Sequence, residues 1–575
     1  MKKILFFAAM LLAGLTFTAC SDDNPVNSGG TTPGEGGGTT PATQKCDIVL
    51  MYYGIGGSNL DQTAEEMLLN VVEEQDKHAN VRTFVQFKYS KERDSEFTTF
   101  YAMSGDYGCA YRFEANAATA NLKYWGSMGE NWESGENAQK PFLLTADMKV
   151  GDGSYKMYDP QNLAAFMNWC RQQAPDAKVY VLAFGDHGGG YNITKDYDKS
   201  NAQTRGVMYD DNIEGKPCMS PTEIATAINS VNKKIDMVFF DCCIMNNLEV
   251  LGELQATNLV DYVFASGHDV SHTQLSMLCT DLSAAFNKGN YLDGAKQFVT
   301  DITKYTEDRY LLIPRLQDKN KDYTLTDLSK LPTAFASIKA VADYLSKIPE
   351  EELNAKEEGF SEAAGLAYQY VNNRPLYDMG SYLEHLEKYA LPGDNTFKAL
   401  ADKAVSDLRA CQVAHQEYNY ISDTEKIRTP YNLTYSVTLG FTSSRLDFSR
   451  VTNGSKDVQK QGVIMTYIKG GQGEVNNLYY NDYFLENGLN YYSEWSKDQE
   501  VNVLYVTNYD EKGSKGAAYK NWKATYCTTI FDKSTGWSNW MRVNTGIPYD
   551  NPPKDDEGNV VLELSLEEWL STLEE

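Results

Sequence analysis

The sequence predicts an α/β fold: a mainly parallel sheet with helices on both faces, followed by a β-rich C-terminal region. Three observations predict it. Short apolar runs at 47–53, 81–89, 178–184, 235–240 and 261–265 have the length and composition of strands buried on both faces. Stretches with helical spacing separate them, such as Leu60, Ala64, Met67, Leu68, Val71 and Val72. Beyond residue 429 the pattern turns β-like, at 433–441, 462–468 and 501–507, with abundant Tyr and Asn. Strands alternating with helices imply parallel pairing through helical crossovers.

The elements follow in order. Lys2 and Lys3 precede an apolar run at 4–15, which closes on Phe17-Thr18-Ala19-Cys20. The run is too short to span a bilayer and reads as an export signal. Its end resembles a lipobox with Cys20 as the lipid attachment residue, and Ser21-Asp22-Asp23 resembles a signal for surface export. An outer membrane lipoprotein exposed at the cell surface is therefore expected, with a secretory signal cut near Ala19 as the alternative. Residues 24–44, rich in Gly, Thr, Ser and Pro, read as a flexible tether. No element is assigned to 90–145. Asp159 and Pro160 supply the N-cap and first residue of a helix whose Leu163, Phe166, Met167 and Cys170 face the core. Residues 192–219 are polar, carry both charge signs and lack an apolar period, so they read as a long exposed loop. Ser220 to Glu223 form a capping box for the next helix, a further helix is expected over 244–254, and 328–408 are helical. Four parts result: a signal at 1–19, Cys20 and the tether at 20–44, a main domain at 45–429 and the β-rich region at 430–575.

Composition excludes some functions. Hydrophobic content of 42% fits a soluble globular chain. A formal charge of −27 argues against nucleic acid as a partner, since phosphates would be repelled. The ten cysteines are scattered without a CxxC pair, which points to buried thiols and away from a zinc site. No cofactor is expected.

The chemistry sits at two strand ends. The run at 235–240 stops at Asp241-Cys242-Cys243, and extended geometry would put Asp241 and Cys243 on one side with Cys242 on the other. That is the end of a parallel strand at which α/β sheets bind ligands. Alone, the triplet also reads as a helix cap beside two small buried residues. The run at 178–184 ends in Gly185-Asp186-His187-Gly188-Gly189-Gly190. A His followed by three glycines suits a site where backbone approaches a substrate closely and offers N–H groups.

These two segments resemble the clostripain family of cysteine endopeptidases, whose fold is caspase-like. His precedes Cys by 56 positions, from 187 to 243, which fits a caspase-type spacing. Further agreement comes from 51–61, from 159–175 and from Tyr377-Asp378-Met379-Gly380-Ser381-Tyr382, so the resemblance covers about 45–400 and makes 45–429 a peptidase domain. It implies Cys243 as nucleophile, His187 as general base, and the N–H groups of Gly188 and Cys243 as oxyanion donors. His268 and His272 are reserve candidates for the base. It also implies Asp241 at the floor of a substrate pocket selecting Arg or Lys, with Asp269 as a second acidic wall. Self-cleavage within 192–219, after Lys199 or Arg205, is expected. Clostripain is linked with calcium, but no EF-hand-like spacing occurs here. Peptide substrates, a membrane contact through the lipid and a monomer complete the expectation. The rivals are an inactive surface lipoprotein that binds glycan or protein through its Tyr-rich C-terminal region, and a thiol acyltransferase.

Overall fold

The computed structural model describes residues 46–56, 60–75, 77–91, 103–121, 140–191, 206–210, 212–213, 217–268, 270, 274–312, 320–368, 370, 376–418, 431–438, 463–464, 505–506 and 529–544. The apolar runs form strands where expected: β1 (Ile48–Ile55), β2 (Val81–Lys88), β5 (Val179–Gly185), β6 (Ile235–Asp241) and β7 (Val260–Ala265). These pair in parallel in the order β2-β1-β5-β6-β7. Antiparallel strands extend both edges: β3 (Ala110–Ala115) and β4 (Lys149–Gly151) beyond β2, then β8 (Lys321–Asp327) and β10 (Gln412–Tyr418) beyond β7. Two small pairs lie outside the nine-stranded sheet: β9 (Leu376–Asp378) with β11 (Ser436–Thr438), and β12 (Val463–Ile464) with β13 (Tyr505–Val506).

Side-chain alternation along β1 and β5 divides the interior in two. Val49, Met51, Tyr53, Leu182 and Phe184 enter one core; Ile48, Leu50, Tyr52, Val181 and Ala183 enter the other. The second core is covered by α1 (Asp61–Gln75), α5 (Leu275–Phe286) and α6 (Tyr291–Leu312). The first is covered by α2 (Pro160–Gln173), α3 (Pro221–Val231), α4 (Leu248–Ala256), α7 (Leu331–Leu345) and the helices after them. Those are α8 (Glu350–Ala355), α9 (Glu357–Leu366), α10 (Met379–His385), α11 (Asn395–Cys411), α12 (Ile530–Thr535) and α13 (Trp537–Asn544). Asp159 caps α2 through its carboxylate, and Ser220 and Glu223 form the capping box of α3. Residues from late in the chain close the first core: Phe531, Trp537 and Trp540 are buried in it, and Trp540 Nε1 donates to Tyr382 Oη at 3.2 Å.

Three expectations need correction. The 90–145 stretch contributes β3, whose pattern was obscured because Arg112 and Glu114 are only partly buried. The helix expected over 244–254 begins at Leu248. Its apolar start is used in a turn, where Asn246 N–H donates to Ser266 O and Asn247 Nδ2 to Ile244 O. The segment 192–219 is not exposed throughout. Gly206, Val207, Met208, Asp210, Cys218 and Met219 are buried, and Val207 bridges Met219 antiparallel.

Candidate active site

The sheet order reverses between β1 and β5. From β1 the chain steps outward to β2, then returns to the other side of β1 to lay down β5, β6 and β7. Such a switch point leaves a crevice at the C-terminal strand ends. His187 and Cys243 both follow strands there, and β5 pairs β6 with Gly185 opposite Asp241. Adjacent strands lie about 4.8 Å apart, so Gly185 and Asp241, 56 positions apart in sequence, are brought side by side.

The two loops interlock through backbone. An ideal Cβ on Gly188 would lie 2.0 Å from the carbonyl oxygen of Cys243 and 2.6 Å from its nitrogen. Only glycine allows that approach. Gly190 has φ +72°, and a Cβ there would meet Asn247 Nδ2 at 2.8 Å and Ile244 O at 3.0 Å. The turn after Cys243 carries its own strain: Ile244, β-branched and buried, has φ +62°. A left-handed conformation costs such a residue about 1–2 kcal/mol. It is held from both sides, by Ile244 N–H donating to His268 O at 3.1 Å and by Asn247 Nδ2 donating to Ile244 O at 2.7 Å.

The two neighbouring cysteines occupy opposite environments. Cys242 is fully buried, 0% exposed, in the core with Phe184 and Phe240, and its thiol faces Phe184 O at 3.5 Å. Burial, followed by the charges of Asp186 and Asp241, pushes that thiol well above the usual range. Cys243 is half-buried, and its Sγ accepts from Val270 N–H at 3.3 Å. Asp241 is 2% exposed and ends β6 on the side of Met237 and Phe239. Tyr52 shares that side. Burial, then the charges of Asp241, Cys242 and Asp186, raises its hydroxyl pKa far above normal.

His268 does not fit the reserve role. It is 4% exposed, with Nδ1 2.7 Å from Asp322 Oδ1 and Nε2 2.6 Å from Tyr368 Oη. Both ring nitrogens are engaged, so its work is structural. Asp322 also accepts from Gly267 N–H at 2.9 Å and Ser266 Oγ at 3.0 Å. Burial alone would raise the Asp322 carboxyl; the bond and charge of His268, with the charge of His415, outweigh it and hold it below the usual range. This network fixes the loop after β7 that reaches Cys243. Asp269 and His272 lie outside the described residues, as do Cys20, Lys199 and Arg205.

Sequence reasoning missed Asp186, Asn247, Asp322 and the pair Lys88–Asp210. Only Lys88 left a signal, as a cation ending a run buried on both faces.

The C11 peptidase, or clostripain, family model matches residues 147–542 of the 575 in the chain. The chain belongs to the clostripain family. It is a cysteine peptidase, a hydrolase acting on peptides, and its mainly parallel sheet is the caspase-like fold. A secreted C11 cysteine protease from Bacteroides thetaiotaomicron is similar at 15% identity, over 70% of this chain and 92% of its own, with a TM-score of 0.41. A secreted C11 protease of that organism in complex with an irreversible peptide inhibitor is similar at 14% identity, over 79% and 99%, with a TM-score of 0.42. An inactive zymogen C11 protease from Parabacteroides distasonis gives 12%, 71%, 92% and 0.40. Comparison with curated proteins gives no match.

Proposed function

We propose that this clostripain-family peptidase is an endopeptidase that cleaves after Arg or Lys with a Cys243–His187 dyad. His187 takes the thiol proton as Cys243 Sγ attacks the scissile carbonyl. The N–H groups of Gly188 and Cys243 hold the resulting oxyanion. Collapse expels the amine, which takes the proton from His187, and leaves a thioester. Water, deprotonated by the same imidazole, then hydrolyses the thioester and restores the thiol. The observation that carries this reading is the interlock of Gly188 with the Cys243 peptide, which puts the His loop against the nucleophile's own backbone.

Asp241 serves as the P1 selector. A carboxylate 2% exposed and two residues from the nucleophile rewards a guanidinium or ammonium through charge-assisted hydrogen bonds. Asp269 is proposed as a second acidic wall of the same pocket.

Self-cleavage is proposed at Lys199. Gly206 is buried, its N–H donates to Tyr209 Oη at 3.3 Å, and a Cβ on it would meet Met219 O at 2.0 Å. A cut after Arg205 would have to unseat Gly206; a cut after Lys199 would not. We further propose that Cys20 carries lipid and anchors the enzyme to the outer membrane, on the residues around it; radiolabelled palmitate should enter wild type and not Cys20→Ala.

The test of the dyad is purification of wild type, Cys243→Ala and His187→Ala. Wild type should cleave Lys or Arg peptides, label on Cys243 with a lysyl acyloxymethyl ketone, and split into two associated fragments, the second beginning at Ser200. Both variants should stay as single chains. A Cys243→Ala protein that still cleaved peptides would overturn the reading.

A further inference from the structure

Six residues, 200–205, separate the proposed cut from the strip 206–210, whose burial has a specific partner. The Asp210 carboxylate lies 2.7 Å from Lys88 Nζ at the end of β2, and both side chains are 0% exposed. Lys88 Nζ also donates to Gly153 O at 3.0 Å and to Tyr155 O at 2.7 Å, so all three ammonium hydrogens are used. Removing two charges from water is expensive, and an apolar pair of similar volume usually serves stability as well or better. Burial accordingly lowers the Lys88 pKa, opposed by the Asp210 charge. Stability alone gives no reason for the pair.

Its geometry gives one. Tyr209 N–H donates to Asp186 Oδ2 at 2.5 Å, and Gly189 N–H donates to Gly206 O at 3.0 Å. These bonds grip the residue before His187 and the second residue after it. Anchoring Asp210 to the sheet therefore anchors the strip that holds the His loop on both sides. We propose that Lys88 and Asp210 are positioning residues for His187, acting through the strip 206–210. The proposal rests on the reading of His187 as the base. It also gives the strip a role across the proposed cut: Lys88, Asp186 and Gly189 precede that cut and 206–210 follow it. In the processed enzyme the brace becomes a contact between fragments, and the base of one fragment is held in place by the new N-terminal region of the other.

The experiment compares Lys88→Met, Asp210→Leu, the double Lys88→Met/Asp210→Leu and His187→Ala in the full chain, reading Tm, kcat and KM on a lysyl peptide. Each single variant strands a buried charge or leaves a buried cation unpaired, so Tm and kcat should both fall. The double variant should recover Tm, since neither charge remains. Its kcat should stay down by about tenfold or more with KM within about twofold, because the brace is gone. A double variant that recovers both Tm and kcat overturns the proposal. Should the double variant fail to fold, Asp210→Asn and Asp210→Ala decide: Asn still accepts from Lys88 and should keep kcat within about threefold, whereas Ala should lose about tenfold. Equal kcat in those two overturns the proposal. A dead His187→Ala beside a fully active double variant sinks the brace alone, while a fully active His187→Ala sinks the base assignment itself.

Discussion

Gly188→Ala isolates the contact on which the candidate site depends. Gly188 does not have a positive φ, so alanine meets no conformational penalty of its own there. The whole effect comes from the added methyl, which would lie 2.0 Å from Cys243 O and 2.8 Å from Cys243 C, where ordinary contact begins at 3.4 Å. Both sides are backbone, and no rotamer change can relieve them. The loops must separate by more than an ångström, and a misplacement of about 1 Å at reacting groups costs about 10²-fold in rate. That is about 2.7 kcal/mol of transition-state stabilisation. The Cys243 turn already holds Ile244 at φ +62°, so stability should fall too, by about 1–3 kcal/mol. Gly393→Ala supplies the control: φ is +78° with nothing within 4 Å, so it should lower stability by about 1–2 kcal/mol and leave kcat alone. The assay is kcat and KM on a fluorogenic lysyl peptide, with Tm recorded in parallel. A folded Gly188→Ala enzyme with kcat close to wild type would refute the reasoning.

Cys243→Ala should abolish peptidase activity, while Cys242→Ala should keep it and lose about 1 kcal/mol of stability for one buried sulfur; equal loss of activity in both, with folding intact, would end the assignment. Asp241→Asn should lower kcat/KM for Arg and Lys substrates by about 2–5 kcal/mol, and a substrate library that favoured acidic or apolar P1 residues would contradict it. Glu65 gives a pH signature. Burial, against bonds from Ser104 and Tyr89, pushes its carboxyl from 4.5 up to about 7. The folded state therefore keeps a proton that the unfolded chain has lost over that window, and this stability is full below about 4.5 and lost as pH rises through 7. Tyr89 Oη and Ser104 N–H both donate to Oε1, which glutamine retains. Glu65→Gln should thus raise Tm at pH 8 and flatten the decline measured by thermal melts from pH 5 to 8.

The parallel strands were legible because burial on both faces writes a continuous apolar run, as in β5 and β6. The helix starts at Asp159 and Ser220 were legible because capping is local chemistry. β8 was not, since Lys321-Asp322-Tyr323-Thr324-Leu325-Thr326-Asp327 looks like a solvated segment. Its Asp322, Thr324 and Thr326 are nevertheless buried, Asp322 on His268 and Thr324 on Asn246 and His415. His187 and Cys243 stood out only together: a His-Gly-Gly-Gly loop suits close backbone approach, whereas the strand-end cysteines alone also read as small buried residues. Lys88 and Asp210 did not, because their meaning lies in a contact across 122 positions. The turn at Ile244 was hidden as well: an apolar run beside a helix looks helical until the asparagines that end it find their acceptors.

Residues 529–540 carry a consequence in time. Phe531 packs edge-on to Phe335 of α7, Trp540 packs against Phe360 of α9, and Ile530 N–H donates to Glu253 of α4. Synthesis proceeds from the N-terminus, so α4, α7 and α9 are complete long before their cover is made. A chain halted before Thr529 would present Phe335, Phe360 and Tyr382 as an open apolar face, prone to association. The layer that backs the Cys243 strand is sealed only once residues 529–540 exist, at least 286 positions after Cys243 itself.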